Sequence, residues 1–253
     1  MLKSRVFPVL LLHDGGLVKS QGFDNYKYVG DPINAVKIFN EKEVDELTLF
    51  DIDASVKNQT PKFELLKNIA TESRMPLCYG GGVRDAETAA RLVSIGFEKV
   101  SVSCSALIRP SLVREMANRI GSQSVVVTID VKRGGLLRAN HQIYSHNGKV
   151  RHDVGLIDFA KKCEDSGAGE IVVNSINSDG MMTGLDLECV EILRKVISIP
   201  LSIVGGVGSL DHIKEAVDRF GPIGVGVGSL FVFKGKYRAV LISYYRPEGE
   251  VLT

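Results

Sequence analysis

The chain has almost no excess of charge: 31 basic against 30 acidic side chains in 253 residues, a formal net charge of +1. So balanced a surface offers no field to nucleic acid or to an anionic membrane, and neither is expected as a partner. No apolar run comes near the ~18 residues that a membrane span needs. The amino terminus, MLKSRVFPVLLLHDGG, has only a short apolar run, broken by Pro8, and no small-residue cleavage site. No signal peptide is expected, and the chain reads as cytoplasmic. Cysteine is scarce. Cys78, Cys104, Cys163 and Cys189 form no C-x-x-C pair and sit in or beside apolar stretches. That predicts reduced, buried thiols rather than zinc or disulfides. His13, His141, His146, His152 and His212 show no metal spacing and read as loop or surface residues. There is no G-x-S-x-G, no H-E-x-x-H and no dinucleotide fingerprint. No metal or organic cofactor is implied.

What is present is a chain that repeats itself at half length. FPVLLLHDGGLVK (7–19) aligns without a gap on VVTIDVKRGGLLR (126–138), putting Gly15 and Gly16 on Gly134 and Gly135, Leu17 on Leu136 and Lys19 on Arg138. ELTLFDIDAS (46–55) matches EIVVNSINSD (170–179), PLCYGGGV (76–83) matches PLSIVGGV (200–207), and VSVSCS (100–105) matches VGVGSL (225–230). The offsets are 119, 124, 124 and 125. Such self-similarity marks two halves built on one plan. Apolar runs near 5–11, 47–51, 76–79, 99–103, 124–129, 170–174, 200–204 and 223–227 do not alternate with polar residues, as strands buried on both faces do not. Between them lie helical patterns such as 31–44, 110–120 and 209–220. Pro32 suits a first helical turn and Ser209 a cap. Hydrophobic residues at 44% allow a full core. The pattern predicts one (β/α)8 barrel over residues 1–253, with an open doubly wound sheet as runner-up. Residues 234–253 fall where the eighth outer helix belongs, yet RAVLISYY is β-branched and aromatic and Pro247 stops a helix. A short or irregular ending is expected there.

In such barrels reactive groups lie at the carboxyl ends of the strands. Gly81-Gly82 and Gly205-Gly206 follow strands 3 and 7, where glycine lets backbone N–H groups approach an anion. Ser103-Cys104 and Gly228-Ser229 follow strands 4 and 8. Two matched pairs across a barrel predict two phosphate sites and a long ligand with a phosphate at each end. Asp51, Asp53, Asp130 and Asp179 fall at strand ends or just beyond. Asp130 and Asp179 are read as functional, Asp53 as structural, and Asp51 as able to orient a neighbour. At the opposite end Arg5, Glu46, Lys99 and Glu170 start strands 1, 2, 4 and 6. Strand-start charges are usually solvated, but four of alternating sign around one axis can close a ring of salt bridges.

GDPINA (30–35), DELTLFDIDAS (45–55), YGGGVR (79–84), EKVSVS (98–103), GSQSVVVTID (121–130), GAGEI (167–171), SINSDG (175–180) and GSLFVF (228–233) resemble the cyclase subunit of imidazole glycerol phosphate synthase, over nearly the whole chain. The resemblance implies a (β/α)8 protein of histidine biosynthesis that works as a heterodimer. A glutaminase partner docks on the bottom face, with Glu98 and Gln123 near that face. Ammonia passes a charged gate (Arg5, Glu46, Lys99, Glu170) and rises along the axis to a bisphosphate substrate. It further implies phosphate and substrate binding by Lys19 in a closing loop, Asp51, Gly82, Ser103, Cys104, Asn174, Asp179, Gly180, Gly205, Gly206, Gly228 and Ser229. Two aspartates would drive the chemistry. One is Asp130; at the other position stands Leu11. Ser103 and Cys104 replace the family's Asn and Thr, Val204 its Ser, and Asn174 its Thr.

Loss of a general acid or base typically costs ~10²–10⁴ in rate. His13 shares the side of Leu11 on the strand but is not expected to replace the carboxylate. An intact gate beside a broken cyclisation site resembles the family's divergent paralogues found with surface-polysaccharide genes. There a glutaminase and barrel pair is thought to supply ammonia to a separate amidotransferase making amidino sugars. The expectation is an ammonia-channelling subunit with weak or no cyclase activity. A working cyclase subunit of histidine biosynthesis is the alternative, and a non-catalytic sensor of a phosphorylated metabolite a third reading, which the gate opposes.

Overall fold

A computed structural model of the chain describes residues 3–134, 140–245 and 251–252. The eight apolar runs are eight parallel strands: β1 (Arg5–His13), β2 (Leu47–Asp51), β3 (Leu77–Gly80), β4 (Lys99–Val102), β5 (Val125–Arg133), β6 (Glu170–Ser175), β7 (Leu201–Val204) and β8 (Gly224–Val227). Each pairs with the next, and β8 returns to β1 with Arg5 opposite Gly224, so the sheet closes into a barrel. The open-sheet alternative is excluded by that closure. Helices α1 (Pro32–Glu41), α2 (Phe63–Glu72), α3 (Ala86–Ser94), α4 (Ser111–Ile120), α5 (Leu156–Asp165), α6 (Leu187–Arg194) and α7 (Leu210–Phe220) connect the strands. Among the described residues no helix is long and apolar enough to cross a membrane.

Local chemistry sets the helix starts. Asp31 caps α1 by accepting from Asn34 N at 2.9 Å, with Pro32 in the first turn. Ser209 does occupy the cap position of α7, but its side chain makes no capping bond. The imidazole of His212 reaches back from the first turn instead, its Nδ1 accepting from Gly208 N at 3.1 Å, just before the helix.

The pleat sorts each strand into two rows. On β1, Val6, Leu10 and Leu12 join the main core between sheet and helices, while Phe7 and Val9 join a second cluster inside the barrel with Cys78, Val126, Val172 and Val204. The half-length repeat is visible in the register. Val9 lies opposite Thr48 and Leu11 opposite Phe50; in the second half Thr128 lies opposite Val172 and Asp130 opposite Asn174. Each half also carries an antiparallel hairpin after its first strand, Gly16–Gln21 with Asp24–Gly30 and His141–Ser145 with Val150–Gly155. Gly135, Leu136 and Arg138, the counterparts of Gly16, Leu17 and Lys19, lie outside the described residues.

The irregular ending is present. After β8 come a short helix (Ser229–Val232) and two-residue strands at Phe233–Lys234 and Ala239–Val240. Tyr244 then fills the gap an eighth helix would cover. It is fully buried, stacks edge-on to Phe231, and puts its hydroxyl 2.9 Å from the Val6 carbonyl.

Among the cysteines and histidines, two differ from expectation. Cys104 is not buried like Cys78, Cys163 and Cys189; β4 ends at Val102, so Cys104 opens the short helix Cys104–Ile108 on the pocket wall. His141 is not a surface residue; it is 8% exposed and its Nε2 lies 2.8 Å from Asp186 Oδ2.

Barrel closure at β8 needs glycine. A Cβ on Gly224 would overlap the fully buried Ser202 hydroxyl and come 3.2 Å from Arg5 Nη2. Gly224→Ala is therefore expected to destabilise the fold by about 1–3 kcal/mol, read as a lower urea midpoint. An unchanged midpoint would mean that β8 shifts freely at this position.

Candidate functional site

At the amino ends of the strands the four expected charges meet. Lys99 Nζ lies 2.7 Å from Glu46 Oε2 and 3.0 Å from Glu170 Oε2. Arg5 pairs with Glu170 through Nη2 and lies 3.8 Å from Glu46 through Nε. Every cation touches both anions, so the ring is closed. Glu46 and Glu170 are buried, and Arg5 is the most open member. Burial alone would lower the Lys99 pKa, but Glu170 and Glu46 outweigh it and hold the ammonium above its ordinary value. Ser202 is a fifth member the sequence did not reveal. Its hydroxyl donates to Glu170 Oε1 at 2.5 Å and accepts from Arg5 Nη2 at 3.2 Å.

Above the ring the axis is filled by Phe7, Val9, Cys78, Val126, Val172 and Val204, with Phe50 packed against them. The hydroxyls of Ser101 and Thr128 meet there at 2.7 Å.

At the carboxyl ends lies one large pocket, with an empty volume of about 1250 Å³ counting its solvent-open mouth. All the predicted top-face residues line it: Lys19, Asp51, Gly82, Ser103, Cys104, Asp130, Asn174, Asp179, Gly180, Gly205, Gly206, Gly228 and Ser229. Leu11 lines it too, beside Val9 and Phe50. Two glycine turns shape opposite walls. Gly82 (φ +68°) and Gly206 (φ +104°) are left-handed, and a Cβ on either would strike the carbonyl of Gln59 or of Gly184. Ser103 and Gly228 stand in matching places, each the residue before a short helix. The Ser103 Oγ is buried with no hydrogen-bond partner among the described residues, as is the Asn174 Oδ1.

The carboxylates divide by environment. Burial pushes Asp130 up to about 7, helped by the Asp179 charge and opposed by the Asn174 amide, whose Nδ2 donates to Asp130 Oδ1 at 3.1 Å. Burial also raises Asp51, against bonds from the Ala54 and Asp53 amides. Asp53 is structural: it accepts from Asp14 N at 2.7 Å and lies 2.8 Å from His13 Nδ1. His13 is thereby held away from the pocket lining. His13, Asp14 and Asp53 cluster as metal ligands could, but the Lys57 ammonium already sits 2.5 Å from Asp14 and 3.1 Å from Asp53. Asp179 has a structural duty besides lining the pocket. Its Oδ2 accepts from Ser20 Oγ at 2.6 Å and from Phe23 N at 3.2 Å, anchoring the first hairpin. Gly180 permits the same approach, since a Cβ would overlap the Ser20 carbonyl.

Lys19 is not in a loop, as expected, but on the hairpin strand Gly16–Gln21. The antiparallel pairing with β1 turns it inward, where it is 5% exposed and donates to the Val9 carbonyl. Burial lowers its pKa to about 8, against the pull of Asp179. The second hairpin supplies residues missed in the sequence. His146 lies 3.7 Å from Cys104 Sγ, and Asn147 Nδ2 donates to the Ile52 carbonyl at 3.1 Å across the mouth. The Asn147-Gly148 dipeptide was the available signal for that turn.

A model of the histidine biosynthesis protein family matches residues 5–238. A protein of Leptospira borgpetersenii, provisionally named imidazole glycerol phosphate synthase subunit HisF, is 48% identical over 98% of this chain and 97% of its own length. One from Pseudomonas aeruginosa, provisionally named imidazole glycerol phosphate synthase subunit hisF2, is 48% identical over 96% of each chain. The imidazole glycerol phosphate synthase subunit HisF of an Exiguobacterium species is 37% identical over 87% of this chain and 85% of its own length. By fold, by site and by these matches the chain belongs to the histidine biosynthesis protein family, as a divergent member of its HisF branch.

Proposed function

We propose that this chain is the ammonia-accepting barrel subunit of a glutamine-dependent pair. A glutaminase docks on the bottom face, ammonia rises through the barrel, and the nitrogen serves surface-sugar amidation by a separate amidotransferase. Residues 1–253 act as one domain, with little or no cyclisation of their own. The observation that carries the reading is a closed charge ring beneath a pocket in which Leu11 stands where Asp130 stands in the other half. Two relatives sharing 48% identity are named subunits, which supports a partner.

The roles follow from charge and burial. Ammonia is neutral and small, so an axis lined by Val, Phe and paired hydroxyls suits it better than water or ions. The ring of Arg5, Glu46, Lys99 and Glu170 closes the entrance, and opening it requires breaking buried ion pairs. Lys99 is assigned the moving part, because its single ammonium makes the two short contacts that join Glu46 to Glu170. Above, Gly82 with Ser103 and Cys104, and Gly205 and Gly206 with Gly228 and Ser229, cradle the phosphate ends of a small-molecule ligand. Lys19, Asp51, Asn174, Asp179 and Gly180 line the space between. Asp130, raised to about 7 by burial, can exchange a proton near neutral pH.

That poised carboxyl also supports the second reading, a working cyclase of histidine biosynthesis. One assay separates them: the family's bisphosphate substrate with ammonium salt, on the wild type and Leu11→Asp. We expect no wild-type turnover and slow turnover in Leu11→Asp. Wild-type turnover at an ordinary rate, about 1 s⁻¹ or more, would establish the cyclase instead. Lys99→Ala should let glutamine hydrolysis by the partner run without use of its ammonia; persistent coupling would remove Lys99 from the gate. Asp130 sets a pH dependence as well. Its folded pKa lies above the unfolded value of ~3.9, so its stabilisation is complete below about 4 and lost as pH rises through about 7. Asp130→Asn should lose less stability than the wild type between about pH 5 and 8, measured by urea denaturation; equal losses would show that Asp130 ionises freely.

A further inference from the structure

An arginine that no reading above uses stands behind the second cradle. Arg238 ends the tight loop between the strands Phe233–Lys234 and Ala239–Val240, and its backbone is left-handed, φ +50°. Glycine or asparagine suits that conformation, and a longer side chain strains it. The strain is offset only by what the side chain gains. The guanidinium lies over Phe233, 4.7 Å from the ring centroid, and its Nη2 donates to Ser229 Oγ at 3.2 Å. Its Nε is buried with no hydrogen-bond partner among the described residues. The Arg238 carbonyl accepts from Lys27 Nζ at 2.7 Å, and that ammonium lies 5.1 Å from the same Phe233 ring. Lys27 belongs to the hairpin strand Asp24–Gly30.

Ser229 is 6% exposed and lines the pocket. Its oxygen accepts from a cation, so its own proton is left to donate elsewhere, and the cation strengthens it as a donor. On the pocket side the Lys19 Nζ lies over Gly228, 2.9 Å from where a Cβ would sit. The Gly228-Ser229 turn thus has a cation on either side, Arg238 at the hydroxyl and Lys19 over the glycine. Among the described residues, neither Ser103 nor Cys104 of the first cradle has a hydrogen bond from a lysine or arginine.

We propose that Arg238 is a positioning residue for anion binding: it fixes the Ser229 hydroxyl as donor to the doubly charged phosphate end of the ligand. The Lys27 contact ties the filled cradle to the first hairpin. This rests on the phosphate reading of the second cradle.

The test is calorimetric titration of the whole chain with inorganic phosphate, with melting followed in parallel. The variants are Arg238→Ala, Arg238→Lys, Ser229→Ala and the double variant Arg238→Ala/Ser229→Ala. Loss of a charge-assisted bond should weaken phosphate binding roughly tenfold in Arg238→Ala. Arg238→Lys should recover most of it. In the Ser229→Ala background, Arg238→Ala should add less than about twofold, because the two act as a unit. Arg238→Met keeps the stem against Phe233 and should show the same loss, so poor folding of the alanine variant leaves the result readable. If the wild type does not saturate with phosphate, the cradle and this role fall together. If it does, and Arg238→Ala and Arg238→Met bind as well as wild type, the role falls and the cradle stands. Fully additive losses in the double variant would also overturn it, since Arg238 would then not act through Ser229.

Discussion

Everything in this molecule depends on the pleat of a closed parallel barrel. Closure leaves each strand only two rows, one toward the helices and one toward the axis. On β1 the axial row is Arg5, Phe7, Val9 and Leu11. The first belongs to the charge ring, the next two to the inner apolar cluster, and the last to the pocket. On β5 the axial row is Val126, Thr128 and Asp130, again rising from the cluster to the pocket. Charge ring, apolar axis and pocket are therefore consecutive positions on the same strands. A shift of one residue in any strand would send a charge into the helix interface and an apolar side chain into the axis.

The charge ring survives burial because its signs alternate and each cation reaches two anions. Removing charges from water costs more than a single attraction returns, so a lone pair here would be a poor choice for stability. Ser202 matters for the same reason. A buried carboxylate has several lone pairs to satisfy, and the Ser202 hydroxyl supplies one donor at 2.5 Å that the cations do not. Gly224 in turn leaves the space in which that hydroxyl sits. The ring is a five-residue object built on five strands, and its members constrain one another.

The sequence showed the barrel because its signals were local and repeated: eight apolar runs, and a half-length match whose register the strand pairing reproduces at Leu11 with Phe50 and Asp130 with Asn174. It showed the ring because period two extends a strand start to a direction. It did not show the hairpins after β1 and β5. Their strands, such as DNYKYVG and VRHDVG, are polar and exposed and carry no buried alternation. Lys19 was thereby misplaced into a loop. His141 and Ser202 were also illegible, since each matters through a partner on another element, Asp186 and Glu170. Ser209 had the right residue type, but its hydroxyl bonds no amide of the helix's first turn.

The two halves of the pocket have diverged in charge, and the divergence has a direction. On the β1 side, Val9, Leu11 and Phe50 form an apolar wall. On the β5 side, Asp130, Asn174 and Thr128 form a polar one. With two carboxylates facing each other, each would raise the pKa of its neighbour, and the pair would share protons. With Leu11 in place, Asp130 is raised mainly by burial, against the bond it accepts from the Asn174 amide. A single carboxyl near neutrality can take up a proton or release one, but it cannot do both on opposite sides of a ring-closing step. Leu11 therefore leaves the pocket with one titratable wall, set above the apolar axis and the charge ring.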